Sequence, residues 1–281
     1  MILTRALRSL VIVSYPWYIL SPSKLSSSPT STTYLRAMSS DTNDKSAQYS
    51  YIPTSTNFPP RYTGPSESQL TPEQKSIRQS ILASRPTTGM SGPFGPWLAH
   101  PSIAEPSQQL GRAVRYGTSL SKRESELIIL LTGAKYRSET EFDLHAREAN
   151  WAGVEWDVIR SIPWKRLSSC DGSDEGREFG LENVKEFMVP VLEKEHDNMR
   201  VEASDTSQSL PDKEREVAIV LFAAELLDTS VVSDETYERT KAVLGGDDAV
   251  LVEITAILGY YAYVSYTLNV FRIPSGMSPV K

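Results

Sequence analysis

The sequence Ser121-Lys-Arg-Glu-Ser-Glu-Leu-Ile-Ile-Leu-Leu-Thr-Gly-Ala134 joins a helix start to a dense apolar run. Ser121 is a favourable N-cap residue, and Glu124, three positions later, completes the pattern of a capping box. Glu126 lies immediately before the apolar residues, so we expect its carboxyl group to be at least partly buried. The stretch therefore predicts a helix that carries an acid into the protein interior.

Similar signals predict helices on either side of this stretch, from about residue 71 to 274. Thr71 and Pro72 form another helix start, with Thr71 as the cap and Pro72 at the first helical position. Caps, apolar spacing and glycine or proline stops predict further helices at about 106–117, 138–153, 155–162, 181–195, 212–227, 233–244 and 247–271. No alternation of apolar and polar residues persists over four positions in this part, so we predict an all-α fold.

The first 70 residues have the composition of a targeting segment followed by a disordered linker. Residues 1–40 carry basic but no acidic residues, and residues 21–60 are more than half Ser, Thr or Pro. This composition is typical of a mitochondrial presequence. A secretory signal is an alternative, because residues 10–20 are fairly apolar, although Pro16 interrupts them. An unprocessed tail is a further alternative, and an internal start at Met38 would instead give a cytoplasmic protein.

The composition of the whole chain excludes several classes of protein. With 29 basic and 35 acidic residues among 281, the net charge is −6, which argues against a nucleic-acid-binding face. The single cysteine, Cys170, rules out an intrachain disulfide or a multi-cysteine zinc site. No apolar run approaches about 18 residues, so no membrane partner is expected. No His-Glu-x-x-His motif occurs, and we expect neither a metal nor a cofactor.

The net charge is concentrated in residues 165–216, which hold 14 acidic and 8 basic residues. We interpret residues 165–212 as an acidic insertion on the surface of a helical domain that spans residues 71–275. Within it, residues 181–195 are predicted to form a surface helix.

Three side chains on two neighbouring predicted helices can form a catalytic site. Glu141 and His145 are four positions apart, which places them on one face of a helix. If that helix and the preceding one form an antiparallel hairpin, Glu126 meets them in one pocket. Burial would raise the pKa of Glu126, and two carboxyl groups with an imidazole can move a proton. The same spacing also fits an ordinary surface pair on a helix.

Five ordered motifs resemble the carboxymuconolactone decarboxylase-like family, in the alkylhydroperoxidase D-like superfamily. They are Gly92-Pro-Phe-Gly-Pro-Trp-Leu, Arg115-Tyr-Gly-Thr-Ser-Leu, Arg123-Glu-Ser-Glu-Leu-Ile-Ile-Leu, Glu141-Phe-Asp-Leu-His-Ala and Gly259-Tyr-Tyr with Thr267-Leu-Asn-Val-Phe-Arg. The likeness covers about residues 85–275. It implies the helical bundle of that superfamily and a homo-oligomer, a trimer or a hexamer.

The chain departs from the peroxidase branch of the superfamily at the cysteines. In that branch a Glu precedes a Cys-x-x-Cys-x-x-x-His motif, and the His follows the Glu by nineteen positions. Glu126 and His145 have this separation, but Ser138 and Glu141 stand where the cysteines would be. Neither residue can form a disulfide, so the resemblance retains the proton-transfer residues and argues against a disulfide-based peroxiredoxin.

The resemblance therefore implies a cofactor-free lyase, decarboxylase or isomerase on a small carboxylated lactone or cyclic acid. In this interpretation His145 and Glu126 transfer the proton, and Glu141 orients His145. The expected substrate-binding residues are Arg123 for a carboxylate, with Tyr116 and Trp97 as pocket walls. A non-catalytic oligomeric member of the family and a redox protein that uses Cys170 remain as alternatives.

Overall fold

The computed structural model describes residues 60–86, 88–165, 176–202 and 210–274. Within these ranges the chain forms ten helices, one 3₁₀ turn at Glu67–Gln69 and no strand, which confirms the predicted all-α class. Nine helices are α1 Pro72–Ser84, α2 Phe94–Trp97, α3 Pro101–Tyr116, α4 Lys122–Lys135, α5 Glu139–Trp151, α6 Trp156–Ser161, α8 Lys213–Thr229, α9 Asp234–Val243 and α10 Asp248–Phe271. The predicted targeting segment, Met38 and Cys170 lie outside the described residues.

The helix α7 is continuous but changes its winding. It begins as the α-helical turn Leu181–Asn183, passes through a π-helical segment, Val184–Met188, and continues as Val189–Glu202. The predicted helix is confirmed, but it does not lie on the surface: Val184, Met188 and Leu192 are fully buried. Apolar residues at a spacing of four positions give this helix one core-facing side, a pattern that the surrounding acidic residues obscure in the sequence.

Local interactions explain where several helices begin. Thr71 and Ser121 each accept a hydrogen bond from the backbone N–H three residues later, and Gln74 and Glu124 complete both predicted capping boxes. Asp212 and Ser233 cap α8 and α9 in the same way, and Asp247 caps α10 by accepting a hydrogen bond from the backbone N–H two residues later. These starts were predictable because a cap and its partners lie within one turn of each other.

Helix α4 lies at the centre of the fold, packed against α5, α8 and α10. Every residue of α4 from Arg123 to Ala134 is buried, which explains why its apolar residues show no single preferred side. A helix that is apolar all round must be surrounded by other helices, so the three neighbours of α4 form the walls of the core.

The turn between α4 and α5 makes these helices an antiparallel hairpin. Arg137 takes a left-handed conformation with a φ of 51°, and the N–H of Ser138 donates to the carbonyl of Gly133 over 2.9 Å. This is a Schellman ending, which reverses the chain at the end of a helix. A Cβ on Gly133 would meet the backbone of Phe142 at 3.3 Å, so the two helices approach each other closely there.

Two predicted boundaries differ from the structure. Residues 60–70, predicted as linker, pack on the domain: the N–H of Arg61 donates to the carbonyl of Phe271, and Leu70 is buried. Helix α3 begins at Pro101 instead of near residue 106, because Pro101 occupies the first turn, where a proline is favourable. Pro106 is then accommodated inside the helix.

Helix α10 is long and apolar enough, judged by length and composition, to cross a membrane. Half of its most apolar window is buried inside the protein, as in the core helix of a globular fold, so this is weak evidence for a membrane span. The absence of a membrane partner therefore stays a prediction.

Candidate active site

His145 lies between two carboxylates at the centre of the α4–α5 hairpin. Its Nδ1 is 2.5 Å from Oε2 of Glu126, and its Nε2 is 3.0 Å from Oε1 of Glu141. All three residues are buried. The predicted convergence of Glu126, Glu141 and His145 is therefore confirmed, and it follows from the antiparallel hairpin and from the four-residue spacing on α5.

Cations surround this trio. Nζ of Lys122 contacts Oε1 of Glu126 and lies 3.0 Å from Oε2 of Glu148. Nη1 of Arg115 lies 3.4 Å from Nε2 of His145 and donates to the hydroxyl of Tyr261 over 3.2 Å. The carboxylate of Glu126 is therefore paired with a lysine on one oxygen and with the imidazole on the other.

These contacts fix the charge states of Glu126 and His145. Burial disfavours both charged forms, but the imidazole, Lys122 and Arg115 together lower the pKa of Glu126 to about 2. Burial is likewise outweighed at His145, where Glu126 and then Glu141 raise the pKa to about 9. Burial acts on the pKa of Glu126 in the expected direction, but the net rise expected there is wrong, because the imidazole, Lys122 and Arg115 outweigh it. At neutral pH the pair is a carboxylate and an imidazolium.

A cavity of about 120 Å³ opens beside the imidazolium. Glu141 and His145 line it, whereas Glu126 does not, so Glu126 lies behind the imidazole and holds its far nitrogen. The other polar residues in the lining are Arg85, Thr88, Ser91, Arg115, Arg147, Glu148, Tyr260 and Tyr261. Three guanidinium groups make this cavity suited to a small anion.

Glu141 combines burial with unused acceptor capacity. Although its Oε1 lies 3.0 Å from Nε2 of His145, this oxygen has no well-aligned hydrogen bond to any described residue. A buried carboxylate oxygen without such a bond is costly unless another donor reaches it. Its place in the cavity lining makes a substrate or a water molecule a suitable donor.

The wall opposite the hairpin depends on a glycine. A Cβ on Gly111 would lie 2.1 Å from the hydroxyl of Tyr260 and 3.1 Å from Nη2 of Arg85. The ring of Tyr260 therefore passes directly over the α3 backbone. Arg85 is held there by Nη2, which donates to the carbonyl of Gln108, and by the ring of Phe94, 4.5 Å from its Cζ.

The three residues predicted to bind substrate lie elsewhere. Arg123 is buried against Glu195 and Glu216 in a separate cluster, away from the cavity. Tyr116 is exposed and does not line the cavity. Trp97 is a core residue: its ring stacks on Tyr263 at 4.7 Å and its Nε1 donates to Thr267. The structure therefore places none of the three in the cavity lining, because the position of each depends on partners far away in the sequence.

Arg115 is the cavity residue that the sequence prediction missed. It is the first residue of the motif that also contains Tyr116. Arg115 faces the cavity and Tyr116 does not, because α3 turns Arg115 toward α5. The hydroxyl of Tyr261 and the imidazole of His145 both lie within 3.4 Å of its Nη1. The only sequence signal was an arginine without an i,i+4 acid on its own helix.

Among the described residues, no group of three or more His, Cys, Asp and Glu side chains has the arrangement of a metal site. No protein-family model, curated protein or solved structure matches the chain. Its resemblance to the carboxymuconolactone decarboxylase-like family therefore rests on the sequence motifs alone.

Proposed function

We propose that the chain is a cofactor-free lyase, decarboxylase or isomerase of the carboxymuconolactone decarboxylase-like family, acting on a small carboxylated lactone or cyclic acid. The observation that supports this most is the buried imidazolium of His145, held between two carboxylates beside an arginine-lined cavity. An acid with a pKa of about 9 that faces a cavity can donate a proton at neutral pH.

The proposed roles follow from which atoms reach the cavity. Nε2 of His145 lies on the Glu141 side, so it is the nitrogen that donates the proton. Glu126 is a positioning residue, because it holds Nδ1 and keeps the ring charged without reaching the cavity. Compared with the roles expected from sequence, the two glutamates exchange roles: Glu126 orients His145, and Glu141 is the carboxylate that reaches the substrate.

In a decarboxylation, the bond to the carboxylate breaks and its electron pair stays on the substrate as a dienolate while CO₂ leaves. Arg115 and Tyr261 are close enough to the imidazolium to stabilise this charge. The dienolate carbon then takes the proton from Nε2, and the neutral imidazole recovers a proton from water. In an isomerisation, Glu141 can remove a proton from one carbon while His145 delivers its own proton to another, and the protonated Glu141 then returns its proton to the imidazole over 3.0 Å.

A non-catalytic role is less well supported. A buried charged cluster can be structural, as that of Arg123, Glu195 and Glu216 is, but Glu141 and His145 also border an arginine-lined cavity that a scaffold protein would not need. A redox role depends on Cys170, which lies outside the described residues, while Ser138 and Glu141 occupy the positions of the redox cysteines.

The experiment is a screen of the purified full chain against carboxylated lactones and cyclic acids, with CO₂ release and loss of ultraviolet absorbance as readouts. We expect turnover to be abolished in His145→Gln and strongly reduced in Glu141→Gln. His196→Gln is the matched control, because His196 is also a buried histidine paired with a glutamate, Glu216, over 2.9 Å, outside the cavity. Full activity in His145→Gln would contradict the proposal.

A further inference from the structure

Helix α10 presents a second apolar face, away from the core. One face of α10 packs against α4, α3 and α8, and the other is exposed or half-buried. The residues on the second face are spaced alternately by four and three positions, which is the heptad spacing of a helix that packs against another helix. We call this face the α10 seam; it consists of Val252, Ala256, Gly259, Tyr263, Tyr266 and Val270.

The α10 seam is too apolar for a face that meets only water. Val252, Tyr266 and Val270 are each more than half exposed, and α10 has no charged residue after Glu253. The seam spans eighteen positions, which is about 27 Å along a helix. A continuous exposed apolar strip of this length is typical of a protein contact surface.

We propose that the α10 seam binds the α10 seam of a second copy of this chain, antiparallel, about a two-fold axis near Tyr261. In this register Tyr263 packs against Gly259 of the partner subunit, and Tyr266 packs against Ala256 of the partner subunit. Val270 meets Val252 of the partner subunit. A two-fold contact requires a surface complementary to itself, and here each large side chain faces a small one.

The seam is already shaped for such a contact. A Cβ on Gly259 would meet no atom within 4 Å, so this position is an open hole beside the two tyrosines. The ring of Tyr263 is stacked on Trp97 at 4.7 Å, and the ring of Tyr266 lies edge-on to Tyr136 at 4.9 Å. Because both rings are held within one subunit, little side-chain freedom is lost when a partner binds.

Charge at the two ends of α10 favours the antiparallel direction. At the first end Asp248 is paired with Lys241 at 2.8 Å, which leaves the charge of Asp247; the last end carries Arg272, with Arg61 bound to the carbonyl of Val270. Antiparallel packing places the acidic end of one copy beside the basic end of the other. Parallel packing would place like charges together, so complementarity selects the direction.

The test compares the masses of the full-length chain and its variants by light scattering after size exclusion. We expect the wild-type mass to be an even multiple of the chain mass of 31.3 kDa, and Gly259→Lys to halve it. The open space at Gly259 accepts a lysine in a single subunit, and glycine is the weaker helix former, so this variant should fold. Val252→Lys and Val231→Lys are a matched pair, because both valines are 66% exposed. Val252→Lys, in the seam, should dissociate the oligomer, and Val231→Lys, outside it, should not.

Cross-linking tests the direction of packing. In a Cys170→Ser background, Ala262→Cys lies near the proposed axis and should form a disulfide-linked dimer on oxidation. Val252→Cys should not, because the two copies of residue 252 lie about 27 Å apart in the antiparallel register. Cross-linking of both variants would indicate parallel packing and would overturn the proposal.

Three other outcomes would also overturn it. A wild-type chain that stays monomeric at about 100 µM, or a Gly259→Lys chain of unchanged mass, would show that the seam does not pair. A monomeric wild-type chain that sediments with phosphatidylcholine vesicles, while Gly259→Lys does not, would assign the seam to a lipid surface. Each of these outcomes leaves the proposed enzyme activity untouched, because no seam residue lines the cavity.

Discussion

Replacing Glu126 with glutamine should move the titration of His145 by more than two pH units. In the wild-type chain burial lowers the pKa of His145, but Glu126 and then Glu141 raise it from 6.5 to about 9. Without the Glu126 charge, the pKa should return to 6.5 or below, because burial then opposes only Glu141. At pH 8 the protonated fraction would fall from about nine-tenths to about 3%, roughly a thirtyfold loss of the acid form.

The same change has a defined effect on stability. The raised pKa of His145 stabilises the fold fully below pH 6.5, and this contribution is lost as the pH rises through about 9. The lowered pKa of Glu126 stabilises it above about 4.5, and that contribution is lost as the pH falls towards about 2. Both pKa shifts describe one ion pair. Glu126→Gln should therefore lower the free energy of unfolding by about 3 kcal/mol near pH 5.5 and by much less near pH 10.

The assay is an NMR titration of the histidine rings, with His145 assigned by its absence in His145→Gln. Urea unfolding at pH 5.5 and pH 10 gives the free energies. Glu253→Gln is the control, because Glu253 lies outside the hairpin, where it accepts an exposed hydrogen bond from the hydroxyl of Ser119. A wild-type His145 that titrates near 6.5, or a pKa that is unchanged in Glu126→Gln, would refute the reasoning.

Three further changes test the surrounding structure by urea unfolding. Arg123→Met should cost about 3–5 kcal/mol, because it leaves two buried carboxylates without their cation; an unaltered free energy of unfolding would contradict this. Gly111→Ala should lower the free energy by about 1–3 kcal/mol, since its Cβ would meet the hydroxyl of Tyr260 at 2.1 Å, and a stabilised variant would show that the ring moves freely. Gly64→Ala should lower the free energy of unfolding by about 1–3 kcal/mol, because Gly64 has a φ of 108° and an added Cβ would lie 2.2 Å from the carbonyl oxygen of Gly95. An unchanged free energy would mean that residues 60–70 do not stabilise the domain.

The sequence predicted those features whose causes lie within a few positions. Ser121 and Glu124, or Thr71 and Gln74, meet within one helical turn, so the helix starts were correct. Glu141 and His145 share a face by spacing alone. Their contact with Glu126 required only that a short turn make α4 and α5 antiparallel.

Features that depend on distant partners could not be predicted in this way. Arg123 meets Glu216 across 93 positions, and nothing local marks it as a core cation instead of a substrate ligand. The pKa of Glu126 is lowered mainly by His145 and less by Lys122 and Arg115; because His145 and Arg115 lie on other helices, the sign of the shift could not be read from burial alone. The sequence also could not show that α10 places the ring of Tyr263 against the ring of Trp97, which makes Trp97 a core residue.

Deuterium transfer tests the central claim, that His145 delivers a proton to carbon inside the cavity. The full chain should turn over a carboxylated lactone or cyclic acid in D₂O and give a product with one deuterium in a single configuration at the protonated carbon. His145→Gln should give no product, while His196→Gln should give the same labelled product. A product with deuterium in both configurations, or identical products from wild-type and His145→Gln chains, would contradict the account.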